Sequence, residues 1–255
     1  MYQSKNLYFE NEQGLKLAAT LELPKHNKPK AYAIFAHCFG CNKDMLATSR
    51  ISRALTEEGF AVLRFDFTGL GSSHGNFEET NFSTNVSDIV SAAKFLRDQY
   101  QAPTLLIGHS LGGAAVIAAS NQIPEIKAIA TIGTPSYPSH VNKHFHEHIE
   151  KLDKNDSVTI KIAEKELKIT KQFLEDIEKH NLEEILKNSN CSIIIFHSPI
   201  DKIVNIDQAS KLYKAAKHPK SFVSLDKADH MLSNPEDAKF VSKIIAIWAN
   251  RYILE

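Results

Sequence analysis

Three side chains far apart in the sequence are of the right types to cut an acyl bond together: Ser110, Asp201 and His230. The serine stands in Gly-His-Ser-Leu-Gly at 108–112, directly after an apolar run (Leu105, Leu106, Ile107) and directly before a small-residue stretch from 111 to 120. That context predicts a strand, a sharp turn and a helix, with the hydroxyl projecting from the turn. The flanking glycines suit such a turn, because side chains two positions either way would collide with the strand and the helix. The plainer alternative is a tight turn that happens to expose a serine. A serine hydroxyl is a weak nucleophile until a base removes its proton, and imidazole can change its charge near neutral pH.

Twelve histidines compete for the role of base. His230 is best placed, in a loop beyond the last expected strand and before the final helix. His109 lies inside the serine turn and is expected to pack near the helix start, away from the hydroxyl. His37 ends a buried strand, where hydrogen bonding that shapes the loop is its expected part. His197 precedes the acid and is poorly placed as base. Asp201 follows the strand-like run Cys-Ser-Ile-Ile-Ile-Phe-His on a turn, so its carboxylate would fix the imidazole tautomer and stabilise the imidazolium. Asp207 competes, but it opens a helix, where an acid already has an electrostatic reason to be. Asp229 reads as a loop-forming residue. Acyl transfer also needs donors for the developing oxyanion. The amide of Leu111, next to the nucleophile, is one; the amide of Phe39, in the loop His-Cys-Phe-Gly at 37–40, is the other. The Phe39 ring could line the acyl pocket or simply pack in the loop.

These groups need a scaffold that brings distant segments together. Residues 6–10 and 15–23 read as a hairpin turning at Gly14. Apolar strands are expected at 31–36, 61–67, 104–107, 126–132, 191–196 and 221–225, with helices at 45–58, 85–100 and 111–120 between them. Asn234 can cap a last helix that opens on Pro235 and runs to about 254. Strands alternating with helices call for a mostly parallel sheet covered on both faces. Residues 136–190 break the rhythm. Alternation at Val158, Ile160 and Ile162, then at Leu167 and Ile169, suggests a short hairpin, followed by helical turns near 173–178 and 182–186. A segment of this kind over a sheet is a candidate cap inserted in one domain spanning 1–255; a surface excursion without a binding role is the alternative.

Composition narrows the partners. Thirty Lys and Arg balance thirty Asp and Glu, which argues against nucleic acid or an acidic membrane surface. No apolar run is long enough to span a bilayer, no signal peptide is expected from the N-terminus, and three cysteines do not suggest a disulfide framework. The expectation is a cytoplasmic protein acting on a small-molecule acyl substrate, with no cofactor. Nothing specifies an oligomer.

With these residues in view, the chain resembles the α/β-hydrolase superfamily from about residue 15 to residue 254. The carriers are the His37 loop, the run Asp-Phe-Thr-Gly-Leu-Gly-Ser-Ser at 66–73, the Gly-His-Ser-Leu-Gly-Gly turn at 108–113, Asp201 and His230. The resemblance implies an α/β fold: a mostly parallel eight-stranded sheet with helices on both faces and a small cap. More narrowly, residues 36–71 are similar to the hydrolase half of hydrolase–OsmC fusion proteins. Their second, thiol-peroxidase-like domain is not expected within these 255 residues. Many esterases have His-Gly where this chain has His37 and Cys38; the narrower resemblance includes the cysteine.

Rival signals remain. Cys38 and Cys41 form a Cys-x-x-Cys pair just before an expected helix, which reads also as a redox site. His140, His144 and His148 are spaced to share one helical face, a metal or pH-sensitive patch or merely solvated residues. Gly69 and Gly71 lack the third glycine of a dinucleotide fingerprint. The reading that unites most features is a serine hydrolase cleaving a carboxylic ester, or a thioester or amide, through an acyl-enzyme. Acyltransferase or perhydrolase chemistry on the same triad, a CxxC-dependent redox protein and a ligand-binding receptor are the alternatives.

Overall fold

Strands made of apolar residues on both faces can only be satisfied inside a layered structure, and the centre of this molecule is built from such strands. β3 (Ala31–Ala36), β4 (Phe60–Phe65), β5 (Leu105–His109), β6 (Ala128–Ile132) and β9 (Ser192–His197) are buried along their whole length. The structure is a computed structural model describing residues 2–26, 28–144, 152, 156–162 and 165–253, with the backbone alone at 143, 144, 162 and 165.

The main sheet has eight strands in the order β1-β2-β4-β3-β5-β6-β9-β10, where β1 is Tyr2–Glu10, β2 is Lys16–Pro24 and β10 is Lys220–Ser224. β1, β2 and β4 pair antiparallel, and all other neighbours are parallel. The hairpin turns at Gly14, whose φ of 75° suits a residue without Cβ. β1 is longer than the expected 6–10. Its residues 2–6 are exposed and lack the apolar alternation that marks a strand, so the pairing to β2 is what forms it.

Helices cover both faces. On one side α2 (Phe82–Gln99), α3 (Leu111–Ser120) and α6 (Asp207–Ala215) bury Val86, Ile89, Val116, Ile117 and Leu212 against the sheet. On the other, α1 (Leu46–Glu57) and α7 (Pro235–Ile253) contribute Ile51, Leu55, Val241 and Ile245. Each such fully buried side chain contributes about 1.5–3 kcal/mol by leaving water. α2 begins at Phe82, three residues before the expected start, because Asn81 and Thr84 form a reciprocal capping box.

Between β6 and β9 the chain leaves the sheet. A 3-10 segment, Pro138–His144, is followed by a two-stranded antiparallel sheet of β7 (Ser157–Ile162) and β8 (Lys165–Thr170), then by α4 (Lys171–Ile177) and α5 (Leu182–Asn188). Ile160, Leu167, Ile169 and Phe173 join the core on the α2–α3 side. Among the described residues, no helix is long and apolar enough to cross a membrane.

Parallel registers align the strand ends. Ala36 pairs with Gly108, His109 with Ile132, Ile132 with Phe196, and His197 with Ser224. The segments that follow β3, β5, β6, β9 and β10 therefore leave the sheet along one edge.

Candidate active site

On that edge the backbone between β5 and α3 bends sharply at Ser110, which sits at φ 54° and ψ −123°. A non-glycine residue with positive φ is rare and strained, so the surroundings must hold it. They do so through close packing of glycine. A Cβ at Gly112 would run into the carbonyl oxygens of Ala36 and His37, and one at Gly108 would lie 2.5 Å from the Gly113 Cα. The Ser110 amide is tied to the Ile132 carbonyl at 2.8 Å. Leu111 is the first residue of α3, so its amide has no carbonyl partner within the helix.

Asp201 and His230 meet. The His230 Nδ1–H donates to Asp201 Oδ2 at 2.7 Å, and both side chains are nearly buried. Burial alone would raise the Asp201 carboxyl. Its bonds from His230 and from the Val204 and Ile203 amides outweigh that and hold it below the usual carboxylate range. The ring of His230 lies 5.0 Å from the ring of His109, the residue before Ser110. Gly133, at φ 56°, makes room for the pair: a Cβ there would stand 3.2 Å from His230 Nδ1 and 3.4 Å from Asp201 Oδ2. Sequence reasoning passed over Gly133, although a glycine directly after an apolar strand was the available signal.

Four further histidines brace the site through backbone carbonyls. His37 Nδ1–H donates to Cys38 O at 2.8 Å, while its Nε2 accepts from the Phe67 amide. His109 Nε2–H donates to His230 O at 2.7 Å. It therefore reaches toward His230, contrary to the expectation that it packs near the helix start. Desolvation, then the nearby His230, push His109 down to about 4, so it stays neutral at neutral pH. His197 Nε2–H donates to Val204 O at 2.8 Å, and burial lowers its pKa as well. His140 Nε2–H donates to Ile203 O at 3.1 Å. Asp229 shapes the loop that carries His230 by accepting from the Ser233 amide at 2.9 Å. Asp207 is the first residue of α6, in the acidic first turn.

Ser110 opens into a narrow cleft of about 30 Å³ whose described walls are Phe39, Leu111, Pro135, Val141, Ile203 and Val204, with His140 as the polar member. Larger grooves of about 490 and 650 Å³ run along the flank formed by β1 and α2. One of them has a second Ser, Asp and His cluster at its rim, formed by Ser83, Asp176 and His180. There Ser83 donates to Asp176 Oδ1 at 2.8 Å, and the one nitrogen His180 Nε2 faces both partners, at 3.0 Å and 3.7 Å. With the carboxylate bonded to the serine itself, no imidazole relays between them; this cluster caps α2 and fastens the segment between β6 and β9 to it.

The two cysteines ahead of α1, the Cys-x-x-Cys pair of the sequence, are joined in a disulfide, Cys38–Cys41, although the cysteine count suggested no disulfide framework. α1 begins only at Leu46, after a turn, so neither sulfur gains the helix N-terminus on which a thioredoxin-type pair depends. The third cysteine, Cys191, is a half-buried thiol whose pKa is raised by burial. Of the His140, His144 and His148 series, the side chain of His144 and all of His148 lie outside the described residues. Among the described residues, no three His, Cys, Asp or Glu side chains are grouped closely enough to hold a metal. Gly71 faces the Asp66 carboxylate, which binds the Lys43 amide at 2.6 Å and the Ser72 amide at 2.9 Å and so joins the loops after β3 and β4.

A family model described as serine aminopeptidase, S33, matches residues 27–165. An esterase domain of a Rhodothermus marinus protein is 48% identical, with a TM-score of 0.80 over 98% of this chain and 99% of that one. The human mitochondrial palmitoyl-protein thioesterase ABHD10 is 31% identical over 153 residues, 57% of this chain. This chain spans about half the length of that curated relative, 49%. The mouse α/β-hydrolase domain-containing protein 10 shares the fold, with a TM-score of 0.79 at 20% identity over 97% of this chain and 99% of that one.

Proposed function

Because the chain belongs to the serine aminopeptidase S33 family of α/β hydrolases, and is an esterase-like serine hydrolase, we propose that it cleaves carboxylic esters through an acyl-enzyme on Ser110. The observation that carries this reading is the His230–Asp201 pair, 2.7 Å apart, on the strand edge where strained Ser110 faces a small apolar cleft. In the proposed cycle His230 Nε2 takes the Ser110 proton as Oγ attacks the carbonyl. Asp201 holds the opposite nitrogen as N–H and stabilises the imidazolium. The amides of Leu111 and Phe39 stabilise the oxyanion; loss of one such donor costs roughly 2.7–4 kcal/mol in activation energy elsewhere. His230 then protonates the leaving group, and water repeats the sequence on the acyl-enzyme.

The apolar walls and volume of the cleft favour a compact acyl or aryl group over a long chain. The segment 136–190 acts as the cap, since His140 and Val141 come from it. Thioesters are the second substrate class, on the similarity to a palmitoyl-protein thioesterase. The test is a panel of short p-nitrophenyl esters, thioesters and amides, run beside fluorophosphonate labelling. Wild type should label and hydrolyse esters best, and Ser110→Ala should lose the label and several orders of magnitude in kcat. A folded wild type inert to the whole panel and to the probe would refute the reading.

A further inference from the structure

The loop after β3 reverses within four residues, and a covalent bond closes the reversal. Cys38 and Cys41 are joined with their Cα atoms 5.3 Å apart. The Cys41 amide donates to the Cys38 carbonyl at 3.1 Å, and Gly40 takes φ 68°, so Phe39 and Gly40 are the central residues of a β-turn. Across a trans peptide the carbonyl of one residue and the amide of the next point in opposite directions in one plane. Whatever holds the Cys38 carbonyl therefore aims the Phe39 N–H. Two groups grip that carbonyl: His37 Nδ1–H from one side and the Cys41 amide from the other. The disulfide keeps the second of these in place.

We propose that the Cys38–Cys41 disulfide is a positioning element of the oxyanion hole, holding the turn that points the Phe39 amide at the reacting carbonyl. The inference rests on the Ser110 acyl-transfer reading and deepens it. A general stapling role explains the bond less well, because a disulfide that closes so short a loop constrains the unfolded chain least. It falls instead where precision of a single donor matters most, between a buried Cys38 and a half-buried Cys41 beside the cleft.

The bond is also reversible chemistry. A dithiol reductant attacks one sulfur to form a mixed disulfide, and its second thiol then displaces the protein. Two electrons and two protons pass to Cys38 and Cys41 as two thiols, and the reductant leaves as a cyclic disulfide. The turn then keeps the His37 bond and the packing of the Phe39 ring on Phe77 and Phe173, with centroids 5.8 and 5.6 Å away. Reduction should therefore loosen the donor rather than delete it. The loss should fall short of the roughly 10²–10³-fold seen when an oxyanion donor is removed outright.

The experiment compares oxidised wild type with the same protein treated with dithiothreitol, the thiol count being followed by mass, on a short p-nitrophenyl ester. We expect kcat to fall on the order of tenfold with KM nearly unchanged, and to recover on reoxidation. The double variant Cys38→Ser/Cys41→Ser should share the low kcat and ignore the reductant. Hydrogen exchange of the peptide covering 37–43 should accelerate on reduction while that covering 105–115 does not. A fully reduced enzyme with undiminished kcat, unchanged exchange at 37–43, or an equal response to dithiothreitol in the double variant overturns the assignment. Equal labelling and turnover in both redox states overturns the clamp alone; an oxidised enzyme that neither labels nor hydrolyses overturns the Ser110 reading beneath it.

Discussion

At position 201 a single oxygen accepts the His230 Nδ1–H, and the other accepts the amides of Ile203 and Val204. Asp201→Asn keeps the size of the side chain and can keep the backbone bonds. With its oxygen held by the amides of Ile203 and Val204, it presents its NH₂ to the imidazole, whose Nδ1 must then accept, so the wrong tautomer faces Ser110. Turnover of a short ester should fall about 10⁴-fold with little change in thermal midpoint; a fall of less than tenfold would remove Asp201 from the proposed triad. Gly133→Ala tests the floor of the same pair. The positive φ alone costs roughly 1–2 kcal/mol, and the new methyl sits 3.2 Å from His230 Nδ1. Displacing the imidazole should lower kcat by at least about tenfold and KM much less, read by steady-state kinetics beside a denaturant titration. Asp201 and His230, which meet, and Ser110, on the same edge of the sheet, have local sequence that advertises a role: Ser110 between an apolar strand and a small-residue helix, Asp201 and His230 just past strands. The braces were illegible. That His109 grips the His230 carbonyl depends on residues 121 positions apart, and no local pattern encodes it.

Elements were read more surely than their ends. Strands β3, β5 and β9 are uninterrupted apolar runs and could be little else, whereas the exposed half of β1 exists through its partner. The buried Arg64 on β4 shows why composition along a strand is an imperfect guide. Its guanidinium pairs with buried Glu22 at 2.9 Å and donates to the Lys43 carbonyl at 2.8 Å, linking the sheet to the loop that carries Phe39. Helix α4 adds a second tie to that loop: Phe173, 2% exposed, packs against Phe39 and Phe77. Phe173→Ala should destabilise this contact by about 3 kcal/mol. The expected outcome is faster proteolysis within 136–190 and a raised KM, with fluorophosphonate labelling of Ser110 retained. Proteolysis and KM like wild type would mean that α4 does not hold the cap.

Over the whole molecule, two buried groups make opposite demands on pH. His109 has a folded pKa of about 4 against an ordinary 6.5, so the unfolded chain takes up the proton first. Its contribution is complete above pH 6.5 and is lost as pH falls toward 4, up to about 3 kcal/mol. His197, lowered in the same direction by burial, adds to that loss. Asp88 is raised from 3.8 to about 6, chiefly by burial, despite its bonds from Thr68 and Asn11. Its contribution is complete below 3.8 and is lost as pH rises through 6, by a similar amount. Between pH 6.5 and 4 the two largely offset each other. Replacing Asp88 with Asn should therefore make stability fall more steeply than in wild type over that interval, as measured by urea midpoints at pH 6.5 and 4.5. A parallel pair of curves would contradict the assignment. None of this titration pattern could be read from the sequence, because it follows from burial, and burial from the order in which the strands assemble. The alternation of strands and helices was legible; the order that sets β4 between β2 and β3 was not.

The row of aligned strand ends has one more implication. Ser110, Asp201 and the turn at Gly133 each begin within a few residues of a strand terminus, so the hydrogen-bonded ladder fixes where they stand. The chain between β6 and β9 departs only after Gly133 and returns before Ser192, and none of its described residues joins the main ladder. On the proposed reading the reacting groups thus stand beside the ladder, while His140 and Val141 bring part of the cleft wall from a separable stretch of the chain. Exchanging the excursion for one of another length or composition would retune which acyl groups enter, while the bond-breaking apparatus keeps its footing in the sheet.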